Sequence, residues 1–189
     1  MKRIAVYCGS SSGLNGIYRD AAANLGRLLA ERNTEVVFGG GKVGLMGYLA
    51  DAVLKAGGRV TGIIPAFLHV KEVAHEGLTE MITVDTMHER KTLIYEISDA
   101  FIALPGGFGT LDELFEMLTW GQLGLHQKPV GILNVNGYFN AILDGIDNML
   151  AEGFLKLENR NMIQVSGQAD DLLQKLQDYR APALPKWIK

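Results

Sequence analysis

Short apolar runs alternate with amphipathic segments along the chain. Seven runs rich in Val, Ile and Ala, bounded by turn-forming or charged residues, predict strands at 3–8, 35–41, 59–65, 80–85, 99–107, 128–134 and 162–166. Apolar residues recurring every three or four positions predict helices at 16–33, 44–58, 86–98, 110–124, 137–153 and 168–180. The polar stretch 66–79 is predicted to form a loop.

This alternation of strands and helices predicts an α/β fold. The strands are continuous apolar runs, which is typical of parallel strands covered on both faces. We therefore expect a Rossmann-like, doubly wound parallel sheet with helices on both faces, forming a single domain over residues 1–189. In such folds the ligand binds at the carboxyl ends of the strands, near the point where the strand order reverses.

Composition and charge narrow the class of protein. The 189 residues are 48% hydrophobic, and the net charge of −3 gives no basic surface for nucleic acid. No apolar stretch is long enough to cross a membrane, and the N-terminus does not read as a signal peptide. Cys8 is the single cysteine, so no disulfide can form within the chain, and a cytoplasmic location is expected.

Three predicted strands end in glycine clusters: CGSSSG at 8–13, FGGGKVG at 38–44 and LPGGFG at 104–109. Glycines that precede a helix let backbone N–H groups approach a ligand, so the clusters predict a phosphate site. The spacing in GSSSGLNG does not match a dinucleotide fingerprint, and Gly39 to Gly41 stand where that fold has an acid. Val43 after Lys42 also excludes a P-loop.

The acid Glu113 has two possible interpretations. Thr110 and Glu113 have the spacing of a capping box, as do Thr86 and Glu89. Alternatively, the glycine run ahead of Thr110 binds a phosphate, and Glu113 lies beside the sugar of the same ligand. Arg90, with the following lysine, is either a solvated cation or faces the glycine loop from the preceding β-α unit.

The segments GGGKVGLMG (39–47), MHERK (87–91) and PGGFGTLDE (105–113) resemble the LOG (Lonely Guy) family. Its members are cytokinin riboside 5′-monophosphate phosphoribohydrolases, long misnamed lysine decarboxylases. The resemblance extends over nearly the whole chain and implies a Rossmann-like homodimer. It also implies hydrolysis of the N-glycosidic bond of a nucleoside 5′-monophosphate, AMP included, to free base and ribose 5-phosphate, with no metal or cofactor.

Carried over by position, the resemblance places the catalytic pair on Arg90 and Glu113. The residues expected to bind substrate are Glu72, Lys91, Gly106, Gly107, Phe108, Gly109, Thr110, Leu111, Asp112 and Thr119, with Gly40 and Gly41 added from the second glycine cluster. Glycoside cleavage passes through an oxocarbenium-like sugar, so Glu113 is expected to stabilise that charge or activate water. Arg90 cannot lose its proton, so it is expected to bind phosphate or steady the departing base.

Two features of the sequence depart from the family pattern. Asp112 stands where the family more often has Glu, and His75 stands where plant members usually have Gly, close to Glu72. The preferred base therefore stays open.

Two other functions are also consistent with the residues. A carrier of a nucleotide or cofactor would need the glycine loops but not both Arg90 and Glu113. A decarboxylase using pyridoxal phosphate would need a Schiff-base lysine, for which Lys42 and Lys91 are the candidates.

Overall fold

The computed structural model describes residues 1–69 and 74–182. Seven strands form one parallel sheet in the order β4-β3-β2-β1-β5-β6-β7, which confirms the predicted α/β fold. Their bounds are Arg3–Tyr7 (β1), Glu35–Phe38 (β2), Val60–Pro65 (β3), Glu80–Val84 (β4), Ala100–Ala103 (β5), Val130–Leu133 (β6) and Ile163–Ser166 (β7).

Six of the helices match the predicted segments, and two short ones were not predicted. The helices are Gly16–Glu31 (α1), Gly44–Lys55 (α2), Ala66–His69 (α3), Met87–Ile97 (α4), Phe108–Gln122 (α5), Asn140–Ala151 (α6), Leu157–Arg160 (α7) and Ala169–Asp178 (α8). The segment expected to be a loop at 66–79 therefore begins with α3. Within the described ranges, no helix combines the length and the apolar character that crossing a membrane requires.

The alternating side chains of β1 pack into two cores, one on each face of the sheet. Ile4 and Val6 belong to the core formed with α1, α2 and α8. Ala5 and Tyr7 belong to the core on the opposite face, which includes Leu114 of α5. Because both faces are covered, the strands consist of continuous apolar runs.

The order of the strands reverses beside β1, which pairs with β2 on one side and β5 on the other. The loops that follow β1 and β5 meet there, because the Gly9 N–H donates to the Pro105 carbonyl at 3.0 Å. Ligands of open α/β sheets bind at such a reversal. The fold thus brings the first and third glycine clusters together at the carboxyl edge of the sheet.

Candidate active site

Helix α5 begins at Phe108, two residues before the predicted start. Gly107 is its N-cap and makes no side-chain cap bond, while Thr110 lies inside the helix and is buried. The capping-box interpretation of Thr110 and Glu113 is therefore wrong.

The other predicted capping box is confirmed in its first half. The Glu89 N–H donates to Oγ1 of the cap residue Thr86 at 3.1 Å, whereas Oε2 of Glu89 accepts from the N–H of Asp85, the residue before the cap, at 2.9 Å. The two T-x-x-E patterns thus differ in structure. Helix capping explains the pattern at Thr86, whereas it does not explain the pattern at Thr110.

The turn ahead of α5 is glycine-rich for two different reasons. A Cβ on Gly106 would overlap the Thr110 hydroxyl and lie 2.8 Å from the Gly9 nitrogen, so this position must be bare for the two loops to touch. A Cβ on Gly107 or Gly109 would meet nothing within 4 Å. The space around these two positions at the start of α5 is therefore open, and Phe108 between them is 94% exposed.

Arg90 of α4 and Glu113 of α5 come together, as expected. The distance from the Arg90 Nη2 to the Glu113 Oε1 is 3.8 Å, and the two side chains are only 12% and 14% exposed. Gly39 makes room for the guanidinium, since any Cβ there would overlap it. Among the described residues, the buried Arg90 Nε has no hydrogen-bond partner.

The environment of Glu113 raises the pKa of its carboxyl group into the neutral pH range. Burial raises the pKa of Glu113 to about 7, an effect that Arg90 and Lys91 partly oppose and that Asp112 and Glu116 reinforce. A carboxyl group with a pKa near the working pH is suited to general acid–base catalysis. Such a shift in a cleft, with a specific charge partner, also identifies candidate functional residues.

Lys91 adds a second cation next to this pair. Its Nζ lies 2.7 Å from Oδ2 of Asp112 and 3.4 Å from Oε1 of Glu116. Burial lowers the pKa of Lys91, but the two carboxylates outweigh that effect and the net pKa is raised. Lys91 is therefore a positive charge at neutral pH.

The second glycine cluster contacts the segment that follows residues 70–73. The Gly40 carbonyl accepts the His75 N–H at 3.0 Å, and Gly41 forms an antiparallel bridge with Ala74. The ring of His75 is fixed by the Asp51 carboxylate, 2.9 Å from Nε2. The predicted substrate residue Glu72 lies outside the described residues.

Thr119 and Leu111 do not join the Arg90–Glu113 pair. The Thr119 hydroxyl donates to the Phe115 carbonyl at 2.7 Å, and the exposed residue borders a groove of about 250 Å³ with Met149 and Phe154. Leu111 packs against the core under α5.

Sequence reasoning missed Glu116 and Tyr7. Glu116 follows Glu113 by three residues on the helix, so helical spacing could have indicated it. Its Oε2 is buried and, in the part of the chain that the structure describes, has no hydrogen-bond partner. Burial raises the pKa of the Tyr7 hydroxyl, and Glu113 and Glu116 raise it further. Tyr7 lies within an apolar strand, where the sequence indicates only a residue of the core.

Comparison with known proteins identifies the family. A family model described as "Possible lysine decarboxylase" matches residues 46–176. Cytokinin riboside 5′-monophosphate phosphoribohydrolase LOG1 of Arabidopsis thaliana is 49% identical over 178 residues, which cover 94% of this chain and 84% of that protein.

Solved structures share the fold. The X-ray structure of TM1055 superposes with a TM-score of 0.73 at 25% identity, covering 95% of this chain and all of that one. The molybdenum cofactor carrier protein of Chlamydomonas reinhardtii gives 0.72 at 18% identity, covering 94% and 99%. The family model and the 49% identical relative show that the chain belongs to the LOG family of cytokinin riboside 5′-monophosphate phosphoribohydrolases.

Proposed function

We propose that the protein hydrolyses the N-glycosidic bond of purine nucleoside 5′-monophosphates, releasing the free base and ribose 5-phosphate. Cytokinin riboside 5′-monophosphate and AMP are the proposed substrates. The observation that carries the proposal is the buried Arg90–Glu113 pair beside an uncapped glycine turn. The 49% identical Arabidopsis relative bears the name of this activity.

The glycine turn binds the phosphate in this proposal. The N-terminus of α5 carries a partial positive charge, and its first N–H groups have no intrahelical partner. Gly107 and Gly109 leave open space over those groups. The Thr110 hydroxyl lies against Gly106 and fixes the shape of the turn. A phosphate can then be bound by the N–H donors of the helix, and no lysine is needed in the turn itself.

Glu113 performs the proton chemistry. The bond from C1′ to the base nitrogen breaks, and its electron pair leaves with the base while positive charge develops on the sugar. The Glu113 carboxylate stabilises that charge and accepts a proton from the water whose oxygen bonds to C1′. The departing base takes up one proton, and the proton that Glu113 accepted from water can pass to it, because a carboxyl group with a pKa of about 7 both accepts and releases a proton near neutral pH.

Arg90 and Lys91 act as fixed cations. Arg90 is held 3.8 Å from Glu113 and keeps part of the acid ionised, and its guanidinium can also bind phosphate or steady the departing base. Lys91, anchored by Asp112 and Glu116, offers the phosphate a second positive charge.

The other proposed substrate contacts are Glu72, Gly40, Gly41, Phe108, Leu111, Asp112 and Thr119. Thr119 borders the groove with Met149 and Phe154, and we propose that it contacts the ligand of a second subunit. In the proposed homodimer the interface contains exposed apolar residues of α6, of α7 and of the turn between them: Met149, Leu157 and Phe154. We also propose that residues 1–189 form one domain that acts in the cytoplasm, in keeping with the single cysteine of the sequence, Cys8.

The rival functions make different demands on the site. A carrier would need the glycine turn but not an acid with a raised pKa against a buried arginine. A pyridoxal phosphate enzyme needs a lysine that can become a neutral amine. Lys91 is stabilised as a cation by two carboxylates, and Lys42 is exposed on the loop before α2, so neither favours that chemistry.

The test is direct measurement of both products. Purified protein is incubated with AMP and with isopentenyladenosine 5′-monophosphate, and free base and ribose 5-phosphate are quantified beside Glu113→Gln. We expect equal amounts of the two products from the wild type and a loss of about 10²–10⁴-fold in the variant, the range for removing an acid–base group. Bound nucleotide without base release from either substrate would favour the carrier instead.

A further inference from the structure

A cavity of about 350 Å³ lies between the loop after β1 and the turn before α5. We call residues 9–13 the serine loop. The other lining residues come from the turn and from three flanking elements: Tyr18, Leu45, Pro105, Gly106, Gly107 and Tyr138. This volume is within the range of about 300–1,000 Å³ for small-molecule sites.

The lining of this cavity is mostly apolar, and among the described residues it carries no charged side chain. In the same described ranges, the hydroxyls of Ser10 and Ser12 make no hydrogen bond to protein, whereas the Ser11 hydroxyl accepts the Gly13 N–H at 3.3 Å. On the opposite wall, the Tyr138 hydroxyl donates to the Gly106 carbonyl at 2.7 Å. Two serine hydroxyls are therefore available to a ligand across from the glycine turn.

Three helices begin around the serine loop, and they differ in how their first N–H groups are used. The side chain of Asn15 accepts from the Ile17 N–H and caps α1. The Leu45 N–H of α2 donates to the Gly9 carbonyl at 3.0 Å. Helix α5, by contrast, begins at Phe108, and its N-cap residue Gly107 provides no side-chain cap. The end of α5 that borders the cavity thus has N–H donors that remain available to an anion.

Helix α5 links the cavity to the Arg90–Glu113 pair, because the Thr110 hydroxyl lies against Gly106 of the cavity wall and Glu113 follows Thr110 by three residues. Cys8 connects β1 to the serine loop and is packed against the core. Burial raises the pKa of the Cys8 thiol, and the Glu113 carboxylate raises it further, so Glu113 acts on the residue that precedes the loop. A ligand with its anionic end in the cavity can therefore direct its sugar toward Glu113.

We propose that the serine loop is the second wall of the phosphate site, with Ser10 and Ser12 donating to the 5′-phosphate from the side opposite the N–H groups of α5. This assignment rests on the proposed hydrolysis of nucleoside 5′-monophosphates. Ser10 and Ser12 are then the residues by which the site distinguishes a nucleoside 5′-monophosphate from a nucleoside, which has no phosphate. Hydroxyl donors and helix N–H groups suit a phosphate monoester, because they supply hydrogen bonds on every side without a counter-ion.

The test uses Ser10→Ala, Ser12→Ala and the double variant. A hydrogen bond to a charged group contributes about tenfold in affinity, so we expect the dissociation constant of ribose 5-phosphate, measured by calorimetry, to rise about tenfold for each alanine and about 100-fold for the double variant. The KM for AMP should rise in parallel while kcat changes less than threefold. Ser12→Thr, which keeps a hydroxyl, should stay within threefold of wild type.

Two controls complete the experiment. Ser166→Ala, at the end of β7 and outside the cavity lining, should leave ribose 5-phosphate binding unchanged, and thermal unfolding should show that every variant is folded. Wild-type affinity for ribose 5-phosphate in the double alanine variant would overturn the assignment. Serine-dependent ribose 5-phosphate binding without base release from AMP would instead refute the hydrolysis and leave the phosphate site standing.

Discussion

Replacing Glu113 by Gln should abolish activity and stabilise the fold at alkaline pH. The folded protein holds the Glu113 proton up to a pH of about 7, whereas the unfolded chain releases it above about 4.5. Between these values the folded state binds one more proton than the unfolded state, so the free energy of unfolding decreases as the pH rises. Above pH 7 the buried Glu113 side chain is ionised, and the cost of burying that charge lowers the free energy of unfolding. A neutral Gln of similar shape avoids this cost.

The displacement of the pKa from 4.5 to about 7 sets the magnitude. At 1.36 kcal/mol per pH unit, it corresponds to about 3 kcal/mol of unfolding free energy. At pH 8.5, Glu113→Gln should therefore be more stable than wild type by about 3 kcal/mol, or about 5–10 °C in Tm for a domain of this size. At pH 4 the two proteins should agree within about 0.5 kcal/mol, because wild-type Glu113 is then neutral.

Urea unfolding followed by circular dichroism, repeated from pH 4 to 8.5, measures this difference. Glu152→Gln removes an equal charge from the exposed end of α6 and serves as the control, for which we expect no more than about 0.5 kcal/mol at any pH. An inactive Glu113→Gln protein that is no more stable than wild type at pH 8.5 would refute the account of Glu113 as a desolvated acid. An active and stabilised variant would keep that account and refute the catalytic role.

Three further predictions concern the turn, a cap and the subunit interface. Gly106→Ala should destabilise the fold by about 1–3 kcal/mol in urea, because its Cβ would overlap Thr110, whereas Gly107→Ala should unfold like wild type and weaken AMP binding. Thr86→Ala should lose about 0.5–2 kcal/mol with the helix cap, and unchanged stability would show that the cap contributes nothing. Phe154→Asp should convert the proposed dimer to a monomer in light scattering, and a dimeric variant would place the interface elsewhere.

The sheet was predictable because few other structural interpretations fit the sequence of a strand that is buried on both faces. Continuous apolar runs such as those of β1 and β5 predict parallel strands covered by helices. The four-residue helices α3 and α7 were not predictable, because about one turn contains no repeat of the apolar pattern. The start of α5 was missed because T-x-x-E describes a capping box and a ligand turn equally well, and only the position of Thr110 inside the helix distinguishes them.

The Arg90–Glu113 pair was predictable only in part. Arg90 and Glu113 lie on consecutive β-α units of the chain, but β3, β2 and β1 separate β4 from β5 in the sheet, so sequence order alone does not bring the two side chains together. Thr119 follows Glu113 by about 1.7 helical turns, so the two side chains of α5 point in different directions. The raised pKa of Glu113 depends on burial and on Glu116, and neither can be read from the motif itself.

The hydrogen bond from the Gly9 N–H to the Pro105 carbonyl has a consequence for how the protein is made. It joins two loops that are far apart along the chain, and β1 can pair with β2 long before β5 is synthesised. Contacts of high sequence separation form late, because the intervening chain must first be ordered. A nascent chain that ends before β5 lacks both the turn of α5 and its acid, so affinity for nucleotide appears only when the centre of the sheet is complete. Nucleotide binding would therefore report on the completion of folding.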